Sequence, residues 1–167
     1  RFLQKRRNVA ALPGTRKRPM VEFPVFVDLY NNVKTPEVYL GQPVTLRGHL
    51  RKLVALPAGD NEHGIETLYE AWLYTQNSQQ HPAVVIVTSV PEELQREVSR
   101  LRMSNRPILV DGVSATGYFF KMYGYPAQDA YRFAPLVLGQ RLVWQPVAPA
   151  SESWMLYLFL ASGGGLI

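Results

Sequence analysis

The sequence predicts a mainly β domain that closes into a small five-stranded barrel with one helix between strands three and four. Three observations carry that expectation. Two long segments alternate apolar and polar residues around a turn-rich loop, and the first of them has a glycine in its middle. One segment of helical period follows the third strand. Two further strands come after it, and the first of these is interrupted by Gly112 and Gly117.

The first strand is "PVTLRGHLRKLVAL". Val44, Leu46, Gly48, Leu50, Val54 and Leu56 fall on one face, and Thr45, Arg47, His49, Arg51 and Leu53 on the other, with Lys52 as the exception. Gly48 suits the bulge or sharp coil that bends a strand around a small barrel. "PAGDNEHG" turns the chain, and "IETLYEAWLYT" places Ile65, Tyr69, Ala71 and Leu73 opposite Glu66, Leu68, Glu70, Trp72 and Tyr74. Together these segments read as a hairpin. A loop centred on Asp60 and Asn61 sets Arg51 against Glu70, His49 against Trp72 and Arg47 against Tyr74. "AVVIVT" is short and apolar throughout, as a strand buried on both faces should be. Ser89 followed by Glu92 forms a capping-box pattern, and Leu94, Val98 and Leu101 make one helical stripe that "SNRP" ends. "ILVDGVSATGYFFKMY" is the fourth strand. "YPAQDAYRFAP" reads as an ordered loop, and "APLVLGQRLVW" as the last strand.

That order resembles the OB-fold, a five-stranded Greek-key barrel, over Tyr39 to Pro146. The chain divides into a basic, proline-containing arm (1–37), the barrel domain (38–147), and a linker with the start of a hydrophobic segment (148–167). The 167 residues carry a net charge of +5, but residues 1–18 hold seven basic residues and no acid. The remainder has eleven basic against thirteen acidic residues, a net of −2, so the high isoelectric point belongs to the arm. Attraction to anionic lipid headgroups or to nucleic acid phosphates would be its physical uses. The run "SWMLYLFLASGGGLI" is uncharged and begins with Trp154 and Tyr157, residue types that favour a membrane interface. It is expected to be the first part of a transmembrane helix, with both chain ends cut from something longer.

The stretches "GQPVTLRGHLRKLV", "GIETLYEAWLYTQNS", "PAVVIVTSVPEEL" and "VSATGYFFKMYGYPAQDAYRFAPLVL" are similar to an uncharacterised family of membrane-anchored proteins of planctomycete-type bacteria. The resemblance implies an OB-like domain beside a C-terminal membrane segment. It implies no catalytic residues.

Cysteine is absent, which removes disulfides, thiolate nucleophiles and thiolate metal sites. No G-x-S-x-G, P-loop or G-x-G-x-x-G is present. Asp60, Glu62 and His63 gather in one loop without a second ligand cluster at a recognisable spacing, so no metal, cofactor or small-molecule substrate is assigned, and the chain is expected not to be an enzyme. Strand four has two faces, Tyr118, Phe120 and Met122 against Phe119, Lys121 and Tyr123, and only one can fill the barrel. The other is expected to be a contact surface for protein subunits, with Phe119, Tyr123, Tyr125, Tyr131 and Phe133 as its candidates. The alternative is a single-stranded nucleic acid groove using Arg47, His49 and Arg51 with the rings of Trp72 and Tyr74. The first reading, a membrane-associated scaffolding module, is the preferred one, with the side of the membrane left open.

Overall fold

A computed structural model describes residues 25–31, 36–128 and 130–146. Their elements are α1 (Phe26–Asn31), a 3₁₀ turn (Pro36–Val38), β1 (Pro43–Pro57), β2 (Thr67–Thr75), β3 (Ala83–Val87), α2 (Glu92–Met103), β4 (Val110–Pro126) and β5 (Tyr131–Trp144). The strands close into a barrel in the order β1-β2-β3-β5-β4. Only β3 and β5 run parallel. The basic arm up to residue 24 and the apolar run with Trp154 and Tyr157 lie outside the described residues. Among the described residues no helix is long and apolar enough to cross a membrane.

Strand β1 is long enough to serve two neighbours, pairing with β4 through Pro43–Leu50 and with β2 through Gly48–Pro57. A bulge at Arg51, between Leu50 and Lys52, changes its phase. Val44, Leu46 and Leu50 point inward before the bulge and Leu53 after it, while Leu56 is left 37% exposed. The single alternation expected for this strand is therefore two alternations joined out of step, and Lys52 is no exception to the second. The same bulge moves the expected register. His49 faces Tyr74, Lys52 faces Trp72 and Val54 faces Glu70. At Gly48 the strands cross so closely that a Cβ would lie 2.0 Å from the Tyr74 carbonyl oxygen. Gly117 serves β4 in the same way, 2.3 Å from the Leu138 carbonyl oxygen.

Phe119 is the largest fully buried side chain, sharing the barrel interior with Leu46, Leu50, Leu73, Val85, Val113, Val137 and Leu142. Its burial contributes about 2–3 kcal/mol by the area removed from water. Helix α2 lays Leu94, Val98 and Leu101 on the end of the barrel where β3 finishes, and Arg102 donates to the Leu53 carbonyl. The expected capping box does not form. Ser89 is drawn to β5 instead, its N–H donating to the Gln140 carbonyl and its carbonyl accepting from Leu142, and the helix starts after Pro91.

The six residues of α1 are too few to hold a helix alone, so packing must do it. Phe26 and Leu29 join the barrel core, and the Tyr30 hydroxyl sits 3.0 Å from His81 Nδ1, just ahead of β3. Part of the stretch 1–37 thus packs against the barrel core. A further correction concerns "YPAQDAYRFAP", expected as a loop. It is mostly hairpin: the β4–β5 ladder continues from Met122↔Pro135 to Pro126↔Tyr131, and the Ala127 N–H closes the turn on the Ala130 carbonyl.

Candidate interaction surface

A bulge at Phe120, between Phe119 and Lys121, decides what the aromatic residues of β4 can do. Before it, Phe119 points inward and Tyr118 outward. Beyond it, Tyr123 and Tyr125 turn to the outer side of the sheet, where they meet Ala134, Leu136, Val84 and Trp72 in a second apolar cluster. Tyr125 is buried and meets the Trp72 ring edge-on, with centroids 4.9 Å apart. The β4–β5 hairpin therefore covers the outer face of β2 and β3 with its own side chains.

Trp72 is engaged on its other sides as well. Its Nε1 donates to Glu70 Oε1 at 2.7 Å, Lys52 Nζ donates to the same oxygen at 2.8 Å, and that ammonium lies 4.6 Å from the indole centroid. Partial burial pushes the Glu70 carboxyl up, but the hydrogen bonds from Lys52 and Trp72, with the Lys52 charge, outweigh it and hold the group below its ordinary range. The opposite-charge pair and the cation over a ring expected for this hairpin both exist, on partners shifted by the bulge. Arg51 lies over Tyr74 at 4.8 Å.

The free aromatic area is elsewhere. Tyr118 is 60% exposed, Phe120 48%, Tyr131 65% and Phe133 44%. Tyr118 stands opposite Leu138, itself exposed, and Lys121 Nζ approaches the Phe120 ring to 5.6 Å. Tyr131 and Phe133 meet edge-on at 5.8 Å on the hairpin face that carries Gly124. Of the five expected contact residues, Tyr131 and Phe133 are on the surface. Phe119 is in the barrel interior, Tyr125 is buried in the second cluster and Tyr123 is packed against it. Tyr118 and Phe120, assigned by alternation to the opposite face, are the residues that join the exposed set.

The nucleic acid candidates do not assemble into an open stacking face. His49 Nδ1 lies 3.1 Å from Asp111 Oδ1, the Tyr74 ring carries Arg51, and Trp72 is shielded by Tyr125 and Lys52. Arg47 stands on the rim of a separate cleft. In the loop of Asp60, Glu62 and His63 it is Asn61 that organises the chain: Nδ2 donates to the carbonyls of Gly59 and Ile65, and Oδ1 accepts from the N–H groups of His63 and Ile65. Among the described residues no group of three or more histidine, aspartate and glutamate side chains is arranged to hold a metal ion. Neither comparison names a relative: no protein-family model matches the chain, and no curated protein matches it.

Proposed function

We propose that this chain is a non-catalytic binding module on an OB-like barrel, which contacts other protein subunits of a membrane-associated assembly through Tyr118, Phe120, Tyr131 and Phe133. The observation that carries the reading is the exposure of these four rings while the remaining large aromatics of β4 are packed away. Large apolar side chains left exposed on one pair of strands commonly mark an interaction site. The OB-like assignment is supported by the strand order and the helix between β3 and β4. Membrane association is supported by the apolar run from Ser153 and by the resemblance to membrane-anchored proteins.

The alternative, single-strand nucleic acid binding on β1 and β2, has less behind it. Such sites need uncovered rings along a cationic groove, and Trp72 has Tyr125 at one edge and Glu70 bonded to its indole nitrogen. One experiment separates the two readings. A photo-crosslinking residue is placed at Phe120 or Phe133, and in parallel at Trp72, in the full chain expressed in its own cells. Protein adducts in the membrane fraction are expected from Phe120 and Phe133 and not from Trp72. Tight binding of a thymidine oligonucleotide that falls steeply with salt and is lost in Trp72→Ala or Tyr74→Ala would overturn the proposal.

A further inference from the structure

An open cleft of about 540 Å³ lies where β1 and β2 part. Their ladder ends at Gly48↔Thr75, after which β2 turns away, with the Ser78 N–H donating to the Thr75 carbonyl. β1 extends the other way to Pro43, paired there with β4 alone. Among the described residues, its opposite edge over 43–47 has no strand partner.

The cleft is lined by five consecutive β1 residues, 45–49. Side chains alternate along a strand, so an uninterrupted run means that the cavity follows the backbone edge and not one face. Its apolar wall comes from Val25 and Phe26 at the start of α1, and its polar rim from Arg47, Gln76 and Asn77. His49 and Asp111 at the same rim satisfy one another. Arg47 is exposed and makes no ion pair among the described residues.

We propose that this cleft binds an extended peptide segment of a partner protein, added as a strand to residues 43–47 of β1. Backbone groups on the free edge would supply the ladder, as in other strand-addition complexes. An acidic side chain of the peptide would face Arg47 on the outer side, and the apolar side chain of the next residue, pointing the other way, would turn toward Phe26. The site is separate from the four exposed rings and does not depend on their role.

The test titrates a capped octapeptide alternating valine and glutamate into the isotopically labelled full chain, followed by amide shifts. Shifts are expected at residues 44–49 and 75–77. Arg47→Glu, a surface change, should weaken binding about ten-fold, and a valine–lysine peptide should bind more weakly to the wild type than to that variant. N-methylation of the peptide amides on one edge should abolish binding, and on the other edge leave it intact. Equal loss from methylating either edge, indifference to Arg47→Glu, or no shifts at millimolar peptide would overturn the proposal. So would the same shifts from free glutamate, which would mark a small-anion site, or from a thymidine oligonucleotide, which would mark a nucleic acid site.

Discussion

The two aromatic regions of this barrel are built from similar residues and left in opposite states. Over β2 and β3, Trp72 and Tyr125 close on one another above Val84 and Leu136, and Trp72 takes Glu70 and Lys52 as polar partners. Along β4 and the hairpin tip, Tyr118, Phe120, Tyr131 and Phe133 stay open to solvent. Composition does not separate the two. What separates them is a single extra residue, the bulge at Phe120, which turns the end of β4 back over its own barrel. An aromatic-rich strand is therefore weak grounds for a stacking site until the bulges are known.

The strongest way to break this contrast is at two adjacent phenylalanines. Phe119 fills the barrel and Phe120 is 48% exposed. Phe119→Ala should cost about 3–5 kcal/mol in unfolding free energy, whereas Phe120→Ala should stay within about 0.5 kcal/mol. Urea denaturation of the two variants decides it. Comparable losses would mean that Phe120 is buried as well, and the contrast between the two faces of β4 would fall.

The bulge beside this pair marks the limit of what the sequence alone discloses. The closed barrel, the helix between β3 and β4 and the stripe Leu94, Val98 and Leu101 were legible, because each rests on a period sustained over many residues. The faces were legible only up to the first bulge. Val44, Leu46 and Leu50 follow the simple alternation, but Leu53 and Leu56 exchange places after Arg51, and Tyr123 and Tyr125 leave the side of Phe119 after Phe120. Arg51 and Phe120 are ordinary strand residues with nothing local to announce an insertion. The glycines did announce close approaches, at Gly48 and Gly117, though not which backbone would approach. Pro126 and Pro135 are residues that seldom sit in a sheet interior. Each nevertheless keeps a place in the β4–β5 ladder, opposite Tyr131 and Met122.

A smaller effect sharpens the closed side of the comparison. If Trp72 and Tyr125 hold the hairpin down together, their substitutions should not be additive. A double-mutant cycle with Trp72→Ala and Tyr125→Ala should give a coupling of about 0.5–1.5 kcal/mol, the range for edge-on ring pairs. Amide exchange at Tyr123, Gly124 and Tyr125 should accelerate in either single variant. A coupling near zero would leave the hairpin covering the sheet without being fastened by this contact.

The smallest effect concerns the polar partner beneath Trp72, and pH isolates it. Glu70 is held below its ordinary titration range by Lys52 and Trp72, so the folded state binds its proton less readily than the unfolded state does. Its contribution is then complete above about pH 4.5, the ordinary value, and is lost as the pH falls through the lower folded value. Lys52 is 48% exposed, so screening keeps the ion pair to about 1 kcal/mol or less. Glu70→Gln retains an oxygen that can accept from the indole and removes only the charge. Its cost at pH 7 should therefore be about 1 kcal/mol, and the gap to wild type should narrow in urea titrations at about pH 3. A gap of the same size at both pH values would place the stabilisation in the shape of the side chain, and would leave the covered face held by packing alone.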